Sequence, residues 1–209
     1  MDSSSGDSYA SDVAFTPTVK AVQARKGSRG AYARMEQQRG WSTRVTAELA
    51  QFIAAQTSVF LATANTQGQP YIQHRGGPPG FLQVLDDQTL GLADFAGNRQ
   101  YITQGNLAEN PKAHLFLIDY AQGRRVKIWG EARVVEGDAE LTARLMPTGY
   151  KARPEQMILF SVSAWDENCA RHIPRRFEAS EVLAGLAQRD QRIEELEAEI
   201  RRLRTLPLG

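Results

Sequence analysis

Residues 75–100 read RGGPPGFLQVLDDQTLGLADFAGNRQ, and this stretch decides the fold. It contains two short runs rich in apolar and β-forming residues, Phe81–Leu85 and Thr89–Phe95, separated by the turn signal Asp86-Asp87-Gln88. After the second run the apolar pattern stops at Ala96-Gly97-Asn98, and a helix-like segment begins. We therefore expect a hairpin whose second strand ends in a polar loop that opens a helix.

Runs of the same character recur on both sides of this stretch at near-regular spacing. Only two helix-like segments interrupt them, near residues 98–109 and 138–146, so the βαβαβ alternation of a doubly wound sheet is missing. The pattern is typical of an antiparallel barrel or sandwich of the mainly β (α+β) class. The other predicted strands are Ser58–Ala64, Pro70–Arg75, Ala113–Asp119, Arg125–Val135 and Met157–Ser163.

Two polar segments precede the strands. Residues 1–17 are rich in Ser and Asp and are predicted to form a disordered leader. Residues 18–44 are predicted to be a basic arm, helical in pieces broken at Gly27, Gly30 and Gly40, with seven Lys or Arg against one Glu (7 − 1 = +6). This charge has two interpretations: a solvated arm packed on the body or on a partner subunit, or an anion-attracting rim near a site.

Helices are predicted on both sides of the β-rich region. Thr46 is placed to cap a helix over residues 47–56. The tail from Glu181 to Arg204 carries apolar residues at heptad spacing, interrupted by Arg189. This pattern fits a coiled coil between subunits and equally an amphipathic helix docked on its own barrel. The seam consists of Val182, Leu186, Ile193, Leu196, Ile200 and Leu203.

The composition excludes several classes of protein. Lys and Arg number 25 against 24 Asp and Glu, a net charge of +1, whereas nucleic-acid binders and membrane-surface proteins carry a clear basic excess. The single Cys169 excludes an internal disulfide, and the three His show no metal-ligand spacing. There is neither a long apolar run nor a secretory signal. We expect a cytoplasmic protein with no metal site that binds neither nucleic acid nor membrane.

Polar residues at predicted strand ends are the candidates for a binding site. Alternation along the strand from Pro70 puts Tyr71, Gln73 and Arg75 on one face. The glycines after Arg75 allow another group to approach the backbone closely. The segment 94–100 ends a strand and opens a helix, where backbone N–H groups with a flanking Arg form a phosphate cradle.

A third polar cluster, Arg124-Arg125-Val126-Lys127, opens another strand and puts Arg125 and Lys127 on one face. The sequence has no P-loop, no dinucleotide-binding glycine motif, no nucleophile elbow and no HExxH. It therefore predicts a ligand site built from strand ends, without a recognisable catalytic side chain.

The order of these pieces resembles the pyridoxamine 5′-phosphate oxidase-like flavin-binding superfamily. The resemblance covers roughly residues 45–177 and rests on PYIQHRGG at 70–77, the stretch at 75–100 and RRVKIWGEARV at 124–134. The stretch at 75–100 and the closing AWDENCARHI at 164–173 are similar to the branch described as predicted flavin-nucleotide-binding proteins.

The resemblance implies a split β-barrel of six to seven antiparallel strands over residues 45–177, with flanking helices and a long C-terminal helix within 178–209. It also implies a homodimer with FMN bound at the subunit interface. A flat flavin ring needs a wide slot, and a small barrel filled by its own side chains has no room for it inside.

The family's site residues carry over to this sequence one by one. By resemblance, Arg99 is the principal charge at the FMN phosphate, since Gln100 stands where true oxidases have a Lys. Asp94 is implied near the ribityl chain or the ring edge, and Trp165 near the ring. The implied cofactor-binding residues are His74, Arg75, Gly76, Asp94, Asn98, Arg99, Gln100, Arg125, Lys127 and Trp165, and the substrate-side ones are Asn168, Cys169, Arg171 and His172.

The leading functional hypothesis is an FMN-dependent oxidoreductase that acts on an unidentified small molecule, with NAD(P)H as a candidate electron donor. Hydride chemistry of this kind needs no protein nucleophile. Oxidation of vitamin B6 is disfavoured, because the string around Arg171 and His172 is not that of the oxidase. The alternatives are a flavin-binding or sensing protein without turnover and a haem-handling split-barrel relative.

Overall fold

The structure is a computed structural model that describes residues 8–168 and 171–204. Its core is one sheet of seven antiparallel strands in the order β2-β1-β5-β6-β7-β4-β3, curled into a half-barrel. This architecture confirms the split barrel expected from the sequence. The strands are β1 Ser58–Ala64, β2 Pro70–Gly76, β3 Leu82–Val84, β4 Thr89–Phe95, β5 Lys112–Asp119, β6 Arg124–Val135 and β7 Pro154–Asn168.

The helices described are α1 Pro17–Arg25, α2 Arg29–Gln38, α3 Ala47–Ala55, α4 Ile102–Glu109, α5 Ala139–Leu145 and α6 Ala179–Arg204. Thr46 caps α3 as predicted, because its hydroxyl accepts a hydrogen bond of 3.2 Å from Leu49 N. Asn106 Nδ2 donates to Thr63 Oγ1 at 3.0 Å, and Asn110 Nδ2 donates to the Ala64 carbonyl at 3.1 Å. These two bonds fix α4 against β1.

The inner face of the sheet holds the main hydrophobic core. Along β1, buried and half-buried residues alternate strictly, as a strand with one face in the core requires. Leu49, Phe52 and Ile53 of α3 share one face, as predicted, and are buried in the same core. Fully buried large side chains include Leu61, Phe81, Leu90, Leu92, Leu115, Leu117, Ile128 and Phe160.

Strand β7 is much longer than the predicted Met157–Ser163. It runs for 15 residues and pairs with β4 through its first half and with β6 through most of its length. A β-bulge shifts the β6–β7 register between Trp129 and Gly130. A Cβ at Gly130 would lie 1.9 Å from the Ser161 carbonyl oxygen, so only glycine allows the two strands to approach at this bulge.

The basic arm forms α1 and α2, which Gly27 separates at φ +81°. The predicted break at Gly30 is wrong: Gly30 lies in the first turn of α2, where a helix tolerates glycine. Part of the predicted leader is also structured, since Ala10–Val13 form a 3-10 turn and Ser11 is buried. Ser11 Oγ donates a 3.0 Å hydrogen bond to Glu36, which anchors this turn to α2.

Nearby carboxylates neutralise part of the positive charge of the basic arm. Arg29 pairs with the buried carboxylate of Glu36, and Lys20 Nζ lies 2.5 Å from Asp12 Oδ1. The end of the arm lies on the sheet, because the Trp41 ring stacks on Trp129 with centroids 4.6 Å apart and planes 16° apart. These contacts support the interpretation of an arm packed on the body.

Residues 120–123 and 171–204 form a second compact unit. Within it, the Arg176 guanidinium lies 4.5 Å from the centroid of the Tyr120 ring, and Arg175 donates a hydrogen bond to the Ala121 carbonyl. The predicted tail helix is confirmed as α6, which spans 26 residues. No helix in residues 8–168 or 171–204 is long and apolar enough to cross a membrane.

Candidate functional site

A pocket of about 220 Å³ lies where the end of β2, the end of β4 and the start of α4 meet. Its lining is mostly polar, and the three chain segments that form it, residues 71–76, 93–104 and 155–156, are far apart in sequence. The lining residues are Tyr71, Gln73, His74, Arg75, Gly76, Ala93, Asp94, Phe95, Gly97, Asn98, Arg99, Gln100, Tyr101, Ile102, Thr103, Gln104, Glu155 and Gln156. We call it the strand-end pocket.

A buried ion pair forms the floor of the strand-end pocket. Arg75 Nε lies 2.5 Å from Asp94 Oδ1, and the two side chains are 17% and 10% exposed. Gln156, which faces Asp94 across the β4–β7 pair, donates a 2.9 Å hydrogen bond from Nε2 to Asp94 Oδ2. Asp94 thus orients both Arg75 and Gln156.

The buried amide oxygen of Gln156, Oε1, accepts no hydrogen bond from any residue that the structure describes. Buried polar atoms are normally paired, because an unpaired one costs about 1–3 kcal/mol. Since Gln156 lines the strand-end pocket, this oxygen is available to a donor group of a ligand. Another polar contact at the lining joins Tyr101 to Glu155: the Tyr101 hydroxyl donates to Glu155 Oε1 at 2.8 Å, and this bond raises the pKa of Tyr101.

The loop between β4 and α4 has an unusual backbone. Arg99 and Tyr101 adopt positive φ angles of 58° and 53°, a region that costs non-glycine residues roughly 1–2 kcal/mol each. Tyr101 is the N-cap residue of α4 and makes no side-chain cap hydrogen bond to the first turn, and Ile102 and Thr103 of that turn line the pocket. Strain of this kind is often found at ligand sites.

Arg99 is the free cation of this loop. It is exposed, lines the strand-end pocket and makes no ion pair with any described residue, whereas Arg75 is paired with Asp94. An unpaired guanidinium beside an uncapped helix N-terminus attracts an anion through both its charge and the helix dipole. The pocket can therefore bind a phosphate group at this end.

The predicted close approach to the glycines after Arg75 does occur, but the approaching group belongs to the chain itself. A Cβ at Gly77 would lie 2.5 Å from the Phe81 Cβ. Phe81 is buried, and its position over Gly77 closes the turn between β2 and β3. Gly77 therefore serves the fold rather than a ligand.

A second cavity, of about 520 Å³, lies between the arm and the outer face of β6 and β7. Its walls are aromatic: Trp41 stacks on Trp129, and the Phe15 ring lies 5.0 Å from the Trp41 ring. Lys127 Nζ lies 5.0 Å from the Trp129 ring centroid and 3.2 Å from Asp166 Oδ2. We call it the arm cavity; Tyr32, Arg39, Trp165, Glu167 and Asn168 also line it.

The sequence matches the profile of the pyridoxamine 5′-phosphate oxidase family over residues 45–169. The chain belongs to the pyridoxamine 5′-phosphate oxidase family. The match includes the seven strands and the whole lining of the strand-end pocket. No curated protein matches the chain at a significant level.

The solved structures to which this family member is similar are distant from it in sequence. HupZ of Group A Streptococcus is 17% identical, with 64% of this chain and 99% of HupZ covered at a TM-score of 0.46. General Stress Protein 26 of Bacillus anthracis is 16% identical (57% and 91% covered, TM-score 0.44). An FMN-binding protein of Syntrophomonas wolfei is 16% identical (70% and 97% covered, TM-score 0.43).

The structure divides the residues predicted from the family resemblance into groups. His74, Arg75, Gly76, Asp94, Asn98, Arg99 and Gln100 all line the strand-end pocket. Lys127, Trp165 and Asn168 line the arm cavity instead. Arg125 lines neither, and its buried Nε has no hydrogen-bond partner among the described residues. Arg171 and His172 belong to the second unit, and Cys169 lies outside the described residues.

Sequence reasoning missed several residues of the strand-end pocket. Gln156 and Glu155 were placed before the predicted strand at Met157, although β7 already begins at Pro154. Thr103 accepts a 3.5 Å hydrogen bond from Arg75, but it lies in a weakly patterned helix whose sequence does not mark it as a site residue. A polar residue next to an apolar run, such as Gln156 before Met157, is the signal that would have found this part of the family member's site.

Proposed function

We propose that this member of the family binds FMN, with the phosphate at Arg99 and the N-terminus of α4. The observation that carries the proposal is the combination in one pocket of an unpaired Arg99, an uncapped helix start and the two positive φ angles beside it. Asn98 and Gln100 lie on the same loop and add polar groups to the cradle. This arrangement suits a phosphate dianion.

The small volume of the strand-end pocket supports a site shared between two subunits. At about 220 Å³ it is smaller than the roughly 300–1,000 Å³ of pockets that enclose a whole ligand of this size. It suits the phosphate and the polyhydroxy chain, for which the unpaired Gln156 oxygen supplies an acceptor. We propose that the flat ring extends beyond it to a wall supplied by a second copy, as a homodimer.

Arg125, Lys127 and Trp165 are our candidates for that second wall. They lie near the start of β6 and near the end of β7, and none of the three lines the strand-end pocket, to which β7 contributes only Glu155 and Gln156. Arg125 and Lys127 point to the outer face of the sheet, as does Trp129. The buried Nε of Arg125 lacks a hydrogen-bond partner among the described residues, which suits a group that is completed by contact with another copy.

We propose an FMN-dependent oxidoreductase that acts on a small molecule, with NADH or NADPH as electron donor. FMN, when bound, supplies hydride transfer to or from a substrate. The chain's own contribution is to hold the phosphate at Arg99 and to keep Arg75 fixed by Asp94 at the pocket floor. Because the cofactor carries the chemistry, we assign no catalytic side chain.

The haem alternative finds less support in the described residues. His74 lines the strand-end pocket, but its Nε2 lies 2.8 Å from Ser58 Oγ. His114 packs edge-on against Trp129, with ring centroids 4.9 Å apart. Neither imidazole is presented as a free axial ligand.

Absorbance titration of the purified protein with FMN tests binding, and haemin in a parallel titration tests the alternative. We expect a perturbed flavin spectrum with saturable binding; no FMN binding, or a haem spectrum of higher affinity, would overturn the cofactor assignment. Anaerobic addition of NADH or NADPH to the FMN-loaded protein then tests turnover. Bleaching of the flavin band supports an oxidoreductase, whereas a stable oxidised flavin with both donors supports a binding protein without turnover.

Sedimentation velocity with and without FMN tests the shared site. We expect a dimer, and we expect Arg125→Ala to weaken FMN binding even though Arg125 does not line the strand-end pocket. A monomer that binds FMN with full affinity would show that a single chain completes the site.

A further inference from the structure

The apolar seam of α6 is uncovered in the described residues. No residue of this helix is buried, although it is 26 residues long. The six apolar seam residues are between 43% and 52% exposed: Val182, Leu186, Ile193, Leu196, Ile200 and Leu203. A helix with this much exposed apolar surface gains its stability by covering it, because helix propensity alone is marginal in water.

We propose that α6 pairs in parallel with α6 of a second copy of this chain, as a two-stranded coiled coil centred on residues 193–204. The pairing is independent of the proposed flavin chemistry. Two features of the helix carry the proposal: the kind of apolar residue in each layer of the seam, and the charges that flank it.

The seam residues are of the type that favours two parallel strands. In a heptad written a to g, Ile193 and Ile200 occupy a, and Leu196 and Leu203 occupy d. β-branched Ile at a with Leu at d is the combination that favours parallel dimers over trimers and tetramers. The four residues form four successive layers over the last turns of the helix.

The charges beside the seam favour the parallel orientation. In this register Arg192 and Glu199 are at g, and Glu197 and Arg204 are at e. A parallel pair brings each g residue next to the e residue five positions later on the partner helix. Arg192 then faces Glu197 of the partner subunit, and Glu199 faces Arg204 of the partner subunit, so both kinds of contact join opposite charges.

An antiparallel pair is disfavoured by the same charges. Keeping the four apolar layers in contact would centre such a pair at residue 198, with e facing e and g facing g. Glu197 and Glu199 would then each lie next to its own copy, at two like-charge contacts. Such a pair also brings Asp190 next to Arg204 of the partner subunit, which is attractive, whereas the parallel pair has attractive contacts throughout residues 192–204 and no like-charge one.

The proposed pairing weakens towards the start of α6. Arg189 occupies a d position, and Gly185 lies at g one turn earlier. Two arginines in one layer repel, and glycine lowers helix stability. Pairing over about two heptads is weak between free helices, but it becomes effectively intramolecular when the chains are already held together.

Disulfide trapping tests both the pairing and its orientation. Leu203→Cys is made in a Cys169→Ser background, which leaves this sequence with no other cysteine. In a parallel pair the two d positions lie side by side, so we expect mild oxidation to yield a covalent dimer. Ala198→Cys, at the outer f position of the same helix, is the matched control and is expected to remain mainly uncrosslinked.

Two results of the trapping experiment would overturn the proposal. One is the absence of a covalent dimer for the Leu203→Cys chain. The other is crosslinking of Ala198→Cys to the same extent, which would indicate random collision. Circular dichroism of each variant checks that the helix is retained, and a variant that loses it is replaced by Leu196→Cys, at the neighbouring d position.

A charge exchange tests the flanking contacts separately. An Arg192→Glu chain and a Glu197→Arg chain, each also carrying Leu203→Cys in the Cys169→Ser background, are refolded together. Each parallel homodimer then contains like-charge contacts, whereas the mixed dimer contains only opposite ones. We expect the mixed species to exceed the statistical one half of the trapped dimers, and a fraction at or below one half contradicts the parallel register.

Discussion

Arg75 Nε and Asp94 Oδ1, 2.5 Å apart, join β2 at one end of the strand order to β4 near the other. Four strands lie between β2 and β4 in the sheet, so the two side chains can meet only because the sheet curls. The same pair forms the floor of the strand-end pocket. The Arg75–Asp94 contact therefore both holds the curled half-barrel together and forms part of the pocket.

Asp94→Asn tests this double role. It leaves the Arg75 guanidinium largely buried without its counter-charge, and removing one partner of a buried pair is strongly destabilising. We expect a loss of about 2–4 kcal/mol in the free energy of unfolding, measured by denaturant titration. FMN affinity should fall as well, because Arg75 and Gln156 lose their common anchor.

Asp87→Asn is the matched control for Asp94→Asn. Asp87 pairs with Arg44, but these side chains are 53% and 63% exposed. Exposed pairs contribute about 0–1 kcal/mol, so this variant should unfold almost like the wild type. Equal losses for the two variants would contradict the special position of Asp94.

Arg99→Ala tests the phosphate cradle. Loss of a charge-assisted bond to the phosphate should weaken FMN binding by about 1.5–3 kcal/mol, roughly 10- to 150-fold in Kd, as measured by fluorescence titration. Arg99→Lys should keep part of the affinity, because a charge remains but the planar fork is lost.

Arg133→Ala is the corresponding control, since Arg133 is exposed on β6 and lines neither cavity. It should bind FMN like the wild type. If Arg99→Ala also keeps full affinity, Arg99 is not part of the cradle.

His114 makes stability depend on pH. Burial, with a smaller contribution from the charge of Lys127, lowers the pKa of His114 to about 4 from its ordinary 6.5. Between pH 6.5 and about 4, His114 is therefore protonated in the unfolded chain but neutral in the folded one. The free energy of unfolding consequently falls as the pH drops from 6.5 towards 4. Above pH 6.5 this penalty is absent.

His114→Gln should remove that part of the pH dependence. Allowing for partial exposure of the ring, we expect the stability difference between wild type and variant to change by about 1–2 kcal/mol from pH 7.5 to 4.5, in favour of the variant. Denaturant titrations across this range measure the change. Parallel stability curves for the two proteins would contradict a buried neutral imidazole.

Gly130→Ala should strongly destabilise the protein. The new Cβ would meet the Ser161 carbonyl oxygen at 1.9 Å, and this backbone atom cannot move without breaking the β6–β7 pairing. We expect a loss of more than about 3 kcal/mol in thermal or denaturant unfolding, or failure to fold.

Gly105→Ala supplies the contrast to Gly130→Ala. Gly105 lies inside α4, and a Cβ there meets nothing within 4 Å. Alanine should therefore stabilise the protein by about 0.5–1 kcal/mol through helix propensity. A similar loss at both positions would point to a cause other than the bulge.

Local patterning explains why most of the fold could be predicted from the sequence. The bounds of β1 and β4 follow from their apolar residues and turn signals, and the structure has the same bounds. The length of β7 could not be predicted, because its last residues, Asp166 to Asn168, are polar and are held in the strand by pairing with β6. That pairing is a property of the folded sheet.

The candidate site could be predicted residue by residue but not as a set of contacts. The family resemblance implies both Arg75 and Asp94 as flavin-binding residues, yet nothing in their order along the chain shows that they pair with each other. The arm cavity was missed for the same reason. Trp41 and Trp129 have no periodic relationship in sequence, and only the fold stacks them.

The aromatic walls of the arm cavity have a consequence for spectroscopy. All three tryptophans of the chain, Trp41, Trp129 and Trp165, line this cavity, and none lines the strand-end pocket. Indole fluorescence excited at the red edge of absorption therefore arises from a single region of a few ångströms. A red shift of that emission would report the arm leaving the sheet, while circular dichroism at the same denaturant concentration would report the strands. Comparing the two signals separates detachment of the arm from loss of the half-barrel without any label.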